Sequence, residues 1–274
     1  MNVEVLAVTM GQQDLSLHRT MNVHRPHVIA NQCGQWGYLE EEHDYGAARM
    51  VSSATKGVGV NRNLTLTLAR EDILLFADDD MVYYDAELQG VIDAFESLPD
   101  ADVILFGIDM VKNGEVFERR RHPVKKLHLW NALGFGGCRM AIRRRAVLKH
   151  NLHFTTLFGG GTLYGSGEDS LFLRDCFRAG LTVYSHSYVL GACGKDSSTW
   201  FSGFNEKYVF DKGAWLQAAF PQARHLLQFY FIRRFAAKSG FSKAKTKAYL
   251  HAGMKAYRTL QPFDPTAEIY KEKG

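Results

Sequence analysis

Three consecutive carboxylates, Asp78, Asp79 and Asp80, directly follow an apolar segment of the chain. Residues 72–77 predict a buried strand that ends where these side chains begin. Carboxylates this close together repel one another unless a cation offsets their charge. A solvated turn that caps the next helix is the structural alternative. Because the preceding strand is strongly apolar, we favour a hard divalent cation, Mg²⁺ or Mn²⁺, which would suit a phosphate-bearing ligand.

A second acidic pair, Glu168 and Asp169, follows a glycine-rich stretch at residues 158–167 and begins a predicted helix that ends at Gly180. The helix dipole favours carboxylates at this position, which explains the pair without any function. The functional alternative is that a flexible loop closes over a substrate and presents one carboxylate as a general base. The stretch lacks the lysine of a P-loop, so it does not predict a nucleotide triphosphate site of that kind.

A third group of residues surrounds the predicted start of another helix. Gly57 and Gly59 form a Gly-x-Gly pair, but Arg62 occupies the place of the last glycine in a dinucleotide-binding motif. The pair also follows only a weak strand, so a dinucleotide site is not predicted. Lys56 and Arg62 beside a helix N-terminus would nevertheless suit a diphosphate.

The elements that would position these residues alternate between strand and helix. Predicted strands lie at residues 3–8, 27–30, 49–51, 72–77 and 102–106, and predicted helices at 61–69, capped by Asn61, and at 85–97. Such alternation predicts an α/β domain with a mostly parallel sheet flanked by helices. In such sheets ligands bind at the carboxyl ends of the strands, where Asp78 to Asp80 would lie.

The order of these groups resembles the family 2 glycosyltransferases, which have the Rossmann-like GT-A fold. The resemblance covers roughly residues 1–190 and includes a further Gly-Gly motif. The matching segments are G-x-x-x-x-R-N at 57–63, the D-x-D motif at 78–80, G-G-x-x-M-A-x-R-R at 136–144 and G-E-D-x-x-L at 167–172.

The resemblance implies an inverting, metal-dependent hexosyltransferase that uses a nucleotide sugar, most often a UDP-sugar, with Mn²⁺ or Mg²⁺. It implies that Asp80 and Asp78 serve the metal, that Asp169 is the general base, and that Glu168 assists it and holds the acceptor. The residues implied for nucleotide-sugar binding are Thr9, Asn31, Lys56, Gly57, Arg62, Asn63, Asp78, Asp79 and Gly137.

The chain departs from the family pattern in three places. The first strand ends in Val-Thr-Met-Gly where P-T-Y-N is usual, and Asn31 and Gln32 stand where many members have an acidic residue near the base. Many members also supply a late histidine to the metal, but residues 191–197 contain none. The resemblance therefore leaves the nucleotide base and a third metal ligand open.

The composition is that of an ordinary globular protein, but its charge is unevenly distributed. Of 274 residues, 46% are hydrophobic and 23% are charged, which excludes disordered, collagenous and coiled-coil classes. No apolar run approaches the roughly 18 residues that span a bilayer, and we expect no signal peptide. Four scattered cysteines form no CxxC motif and predict buried thiols in the cytoplasm.

Residues 212–263 contain ten basic and no acidic residues, so the rest of the chain has a net charge of −6. We predict two helices here, the first over residues 221–238 with Gly240 as its stop, the second capped by Ser242. The second helix carries a basic stripe of Lys247, His251, Lys255 and Arg258. Packing with a solvated basic face and docking on an anionic membrane through residues 221–260 are equally favoured. No nucleic-acid motif is present, so no nucleic-acid partner is expected.

These observations predict a GT-A catalytic domain at residues 1–205 and a helical basic extension at 206–274. The acceptor would be a lipid-linked or growing bacterial surface glycan on the cytoplasmic side of the membrane, and Trp200 would form part of its wall. A sugar nucleotidyltransferase is the alternative enzyme, although the Gly-rich basic loop of that class is missing after the first strand. A non-catalytic basic protein that binds membrane or nucleic acid is the other alternative, and it would need neither Asp80 nor Asp169.

Overall fold

A computed structural model describes residues 1–194 and 203–271 of the chain. Over these residues the strands form one eleven-stranded sheet. The strands are β1 (Val3–Met10), β2 (His27–Gln32), β3 (Gly37–His43), β4 (Gly46–Ser53), β5 (Ile73–Asp78), β6 (Met81–Tyr83), β7 (Val103–Lys112), β8 (Glu115–Arg120), β9 (Lys125–Lys126), β10 (Met140–Arg143) and β11 (Val183–Gly194).

The helices surround the sheet and then continue as a separate C-terminal run. They are α1 (Leu17–Thr20), α2 (Val58–Leu68), α3 (Gln89–Ser97), α4 (Leu129–Ala132), α5 (Arg144–His150), α6 (Glu168–Arg178), α7 (Glu206–Ala219), α8 (Arg224–Ser239) and α9 (Lys243–Thr259). A single 3₁₀ turn at Gly137–Arg139 precedes β10.

The sheet order is β3-β4-β2-β1-β5-β10-β7-β11-β6, with β8 paired to β7 and β9 to β11. The β4-β2-β1-β5 segment is parallel, and the short β10 runs antiparallel to both β5 and β7. Since β10 opposes both neighbours, β5 and β7 point the same way, and their carboxyl ends share one edge of the sheet. The predicted α/β class with a mixed, mostly parallel sheet is confirmed.

Two apolar layers cover the two faces of the sheet. In β1, Val5 and Ala7 pack into one layer, which includes α3, and Leu6 packs into the other, which includes α6. Parallel strands that are buried on both faces read as continuous apolar runs, which is why β1 and β5 were predictable. A third apolar cluster joins α7, α8 and α9 to the loop before α6.

Two predicted helix boundaries are wrong. Helix α2 begins at Val58 instead of Asn61, and its N-cap is Gly57, whose φ of 119° is a conformation that a side chain disfavours. Helix α3 begins at Gln89 instead of residue 85. The Asp85 carboxylate accepts hydrogen bonds from the backbone amides of Glu87 and Gln89. In the C-terminal region, the stop at Gly240 and the cap at Ser242 are confirmed.

Helices α7 and α9 cross with their backbones in close contact at two glycines. A Cβ atom on Gly253 would lie 1.9 Å from the carbonyl oxygen of Phe210, and one on Gly213 would lie 2.1 Å from that of Leu250. Both approaches are impossible for real side chains, so the crossing depends on glycine at these positions.

Gly253→Ala should therefore destabilise the protein, although alanine is the better helix former by about 1 kcal/mol. We expect overpacking to reverse that gain and to lower the free energy of unfolding by about 1–3 kcal/mol in urea denaturation. Gly134→Ala is the matched control, because a Cβ there meets nothing within 4 Å. Equal stability of the two variants would contradict the close crossing.

No helix in residues 1–194 and 203–271 is long and apolar enough to cross a membrane.

Candidate active site

A cleft of about 410 Å³ opens at the carboxyl ends of β1 and β5. Thr9 and Gln32 line one side, Asp78 to Asp80 line the floor, and Glu168 and Asp169 line the wall formed by α6. The three acidic and glycine-rich groups seen in the sequence therefore meet in one place. Their meeting point is the strand edge where ligands of open α/β sheets bind.

A larger hollow, of about 540 Å³, lies beside α5 and is bordered by Asp102, Lys149 and Gly180. It opens at the amino ends of β7 and β11, on the opposite edge of the sheet from Asp78. Three of its eight lining residues are basic, and neither Asp78 to Asp80 nor the pair Glu168 and Asp169 lines it. We therefore assign chemistry to the smaller cleft.

Arg62 connects the acidic groups of the cleft. Its guanidinium donates to Asp78 over 2.9 Å, bonds to Asp169, and lies 3.7 Å from Glu168. The side chain is almost fully buried, with the Phe154 ring 5.2 Å from its Cζ atom. The three carboxylates hold the pKa of Arg62 above its ordinary value, although burial opposes them. Arg62 is thus a permanent cation between the D-x-D motif and the proposed base.

Gly137 explains the Gly-Gly motif in physical terms. A Cβ atom on Gly137 would lie 2.7 Å from the guanidinium atoms of Arg62, so only glycine leaves room for that side chain. The backbone N–H of Gly137 donates to Asp169 Oδ2 over 2.7 Å. One residue therefore admits the arginine and orients the carboxylate that the arginine binds.

Asp169 occupies an environment that suits a general base. Burial raises the pKa of its carboxyl group to about 7, from an ordinary value of 3.8; Arg62 opposes the shift, and Glu168 adds to it. A base whose pKa lies near the working pH combines a high deprotonated fraction with useful basicity. The N-terminal position on α6 keeps both acidic side chains at the cleft wall.

The three aspartates after β5 have different surroundings. Asp78 binds Arg62, and Asp79 accepts a 2.6 Å hydrogen bond from the Thr9 hydroxyl. Asp80 accepts a weak hydrogen bond from the Cys193 thiol at 3.4 Å. Burial, and then the negative charge of Asp78, raise the pKa of Asp80 to about 6. A nearby cation would therefore stabilise the ionised form of Asp80.

The donor set fits a metal that is shared with a ligand. Among residues 1–194 and 203–271, no group of three or more His, Cys, Asp or Glu side chains could hold a metal ion. Mg²⁺ and Mn²⁺ sites that use substrate phosphates need only one or two protein carboxylates. Asp78 is 38% exposed and Asp80 has no salt-bridge partner in the described part of the chain, so both are available to such an ion.

Of the other residues implied for nucleotide-sugar binding, some line the cleft and others lie outside it. Thr9 lines the cleft, whereas Lys56 is exposed and is not among the lining residues. The Asn31 amide bonds to the backbone of residue 12 and to Ser52, and Asn63 bonds to the backbone of residue 154. The last two side chains therefore fix local structure beside the cleft.

Gly57 shapes the cleft through its backbone. Its N–H donates to Gln32 Oε1 over 3.0 Å, and a Cβ atom there would lie 2.7 Å from Thr162. The glycine thus lets the start of α2 approach the glycine-rich loop. Trp200, the proposed acceptor contact, lies outside the described residues, as does most of the predicted acceptor wall.

Helix α7, which lies in the predicted helical extension but was not predicted as a separate helix, holds the glycine-rich loop in place. Asp211 accepts from the Gly165 amide at 2.9 Å, and Lys212 donates to Ser166 over 2.9 Å. Trp215 donates to the Ser170 hydroxyl over 2.8 Å, one residue beyond the proposed base. The C-terminal helices are therefore joined to the α6 wall of the cleft by hydrogen bonds as well as by apolar contacts.

Several cleft residues were not identified from the sequence. They are Gln32, Arg120, Arg139, Cys138 and Cys193. Cys138 directly follows Gly137, so the Gly-Gly motif contained a usable signal for it. Cys193 and Arg120 arrive from β11 and β8, which carry no motif, and only the sheet pairing brings them to the cleft.

The chain resembles known proteins in sequence over part of its length and in fold over most of it. Residues 36–154 match the family described as Glycosyl transferase family 2. No curated protein matches the chain.

Solved structures with a similar fold include fragment 1-349 of S. aureus TarS. Its complex with UDP-GlcNAc is 14% identical, with a TM-score of 0.58 over 95% of this chain and 93% of that chain. The complex of the same fragment with UDP is 13% identical, with a TM-score of 0.54 over 95% and 92%. At such low identity the likeness establishes the fold, which is GT-A.

Proposed function

We propose that this chain, which resembles the family 2 glycosyltransferases over residues 36–154 and has a GT-A fold, transfers a sugar from a UDP-sugar to a hydroxyl acceptor with inversion at the anomeric carbon. One observation carries the proposal. A carboxylate with a pKa near 7, Asp169, and a paired-aspartate site, Asp78 and Asp80, lie in the same cleft and are bridged by one buried arginine.

Asp169 is the group that activates the acceptor. An acceptor hydroxyl is a weak nucleophile, and Asp169 takes its proton as the oxygen attacks the anomeric carbon. Gly137 and Arg62 hold the two carboxylate oxygens, so the base has a fixed orientation before the acceptor arrives. A single displacement inverts the anomeric centre and needs no second nucleophilic carboxylate.

The end of the cleft at Asp78 and Asp80 would bind the leaving group. The bond from the anomeric carbon to the diphosphate breaks, and negative charge develops on the departing nucleotide. A divalent cation held by Asp78 and Asp80 would stabilise that charge as a Lewis acid. Arg62 lies between this end and Asp169, so its positive charge also offsets the repulsion between the substrate's phosphates and the carboxylates.

We propose that the acceptor is a lipid-linked or growing surface glycan on the cytoplasmic face of the membrane. The reducing compartment is supported by four cysteines that are all free thiols, three of them buried. Peripheral contact with the membrane is supported by the ten basic residues at 212–263, on helices that pack against the catalytic wall.

The proposal is tested by a screen of nucleotide sugars with and without Mn²⁺, with thermal shift and donor hydrolysis as readouts. We expect a UDP-sugar to raise the melting temperature and to be hydrolysed slowly only when the metal is present. A chain that responds to no nucleoside diphosphate under either condition would sink the proposed activity.

Asp80→Asn tests the metal assignment separately. The amide keeps the shape of the side chain but removes its charge, so we expect Mn²⁺-dependent binding of UDP to weaken by about 100-fold or more. Isothermal titration with and without Mn²⁺ measures this. Asp93→Asn, an exposed carboxylate on α3, is the control and should bind as the wild type does. Unchanged metal-dependent binding in Asp80→Asn would place the cation elsewhere.

A further inference from the structure

Helix α8 has apolar side chains on two opposite faces. Its inner face, Phe231, Ile232 and Phe235, is buried in the cluster shared with α7 and α9. On the outer side, Leu226 is 76% exposed and Phe229 is 65% exposed. A helix that only packs on a protein has one apolar face, so the outer face needs its own explanation.

The exposed residues form one continuous stripe. Leu226, Phe229, Tyr230 and Arg233 follow the i, i+3, i+4, i+7 spacing that places side chains on the same side of a helix. Tyr230 is 55% exposed, and Arg234 donates to its hydroxyl over 2.7 Å. The stripe, which we call the α8 outer face, thus combines large apolar and aromatic side chains with two exposed arginines.

The charge of this region selects among possible occupants. No acidic residue lies between positions 212 and 263, so nothing within this stretch of sequence neutralises Arg233 and Arg234. An anionic surface complements such a face, whereas a basic or neutral partner does not. Arginines beside exposed Leu, Phe and Tyr are typical of helices that lie in the headgroup region of a bilayer.

We propose that the α8 outer face docks on an anionic lipid surface, with Leu226, Phe229 and Tyr230 inserted at the boundary of headgroups and acyl chains. Helix α8 has 16 residues and is about 24 Å long, which suits a helix lying in the plane of the surface. The proposal assigns the apolar part of the membrane contact to α8. The exposed basic stripe of α9, which carries no large apolar residue, contributes only long-range attraction.

Docking through α8 would set the orientation of the cleft. Phe231, on the inner face, packs against the Trp215 ring at 5.7 Å between centroids, and Trp215 donates to Ser170 beside Asp169. A short rigid path therefore joins the membrane face to the catalytic wall. This consequence rests on the proposed sugar transfer. The lipid binding itself deepens the peripheral membrane contact proposed above and does not depend on sugar transfer.

The test is flotation of the full chain with vesicles, in the absence of nucleotide. We expect binding to phosphatidylcholine vesicles that contain phosphatidylglycerol, weaker binding at high salt, and little binding to phosphatidylcholine alone. Leu226→Ser combined with Phe229→Ser should weaken binding to anionic vesicles at least about tenfold. Arg233→Gln combined with Arg234→Gln should weaken it by about fivefold per arginine and reduce its salt dependence.

Leu148→Ser is the matched control, because Leu148 is 61% exposed on α5 and should not affect vesicle binding. The α8 variants should melt as the wild type does and should keep donor hydrolysis, which separates this inference from the catalytic proposal. Absence of vesicle binding, or binding that survives the loss of Leu226 and Phe229, would overturn the inference. A dimer in light scattering that the same double variant dissociates, without vesicle binding, would assign the face to a second copy of the chain.

Discussion

Asp169→Asn should lower the rate of sugar transfer by about 10²–10⁴-fold while leaving the affinity for the donor nearly unchanged. Asparagine keeps the shape of the side chain, and its single amide oxygen can still accept from one of the two donors, Gly137 or Arg62. What is lost is the ability to take the proton of the acceptor hydroxyl. The measurement is kcat and KM for the donor, with nucleotide release as the readout.

The wild type should show a pH dependence that the variant lacks. Burial raises the pKa of Asp169 to about 7, so the carboxyl is largely protonated below that pH and cannot act as a base. The rate should therefore rise about tenfold per pH unit below pH 7 and level off above it, since only the ionised form is active. Asp175→Asn, a carboxylate 40% exposed on the same helix, is the control. A similar loss in that control, or full activity in Asp169→Asn, would remove Asp169 from its role.

Arg62→Met should destabilise the protein by about 3–5 kcal/mol, because it leaves three carboxylates close together with no cation. Methionine fills most of the volume, so the loss measures charge more than packing. For a chain of this size we expect a melting temperature lower by about 10 °C at pH 8. Binding of a divalent cation should recover part of the loss, since it neutralises the same cluster.

Acid should reduce the difference between Arg62→Met and the wild type. Burial raises the pKa of Asp169 to about 7, so acid removes its charge from the cluster, and the deficit should be largest at pH 8 and smaller at pH 5. Arg70→Met is the control, because Arg70 is 58% exposed and its pair with Glu40 should contribute less than about 1 kcal/mol. A deficit in Arg62→Met that does not change with pH would contradict electrostatic bridging.

The sequence was informative where burial leaves a regular pattern. The continuous apolar runs of β1 and β5 predicted two central strands, and the acidic run after β5 predicted the floor of the cleft. Helix α6 was predictable because the sequence marks both of its ends, the start with an acidic pair and the stop with a glycine. Local pattern and tertiary role coincide in these elements.

The missed elements have no such pattern. Strand β3 is exposed along almost its whole length and carries three consecutive glutamates, so apolar alternation is absent. Helix α7 is buried on most sides, between α9 and the glycine-rich loop, and therefore has no polar stripe. Strand β10 has only four residues, too few to distinguish a strand from a helix.

The salt bridges of Arg62 are contacts that sequence spacing could not predict. Arg62 and Asp169 are separated by 107 positions, and their contact depends on the tertiary fold that brings both side chains to one cleft and on the missing side chain of Gly137. The motif predicted that an arginine belongs near a diphosphate. Its bond to the proposed base is visible only when the chain is folded.

The hydrogen bonds from α7 to the glycine-rich loop show whether the C-terminal helices are structurally independent of the rest of the chain. A boundary between residues 205 and 206 is natural in the sequence, yet Gly165, Ser166 and Ser170 are held by side chains from beyond it. Groups joined in this way open and close as one cooperative unit. The order of the glycine-rich loop therefore depends on helix α7. Replacement of the C-terminal helices would therefore also change how well the loop and the α6 wall of the cleft are ordered.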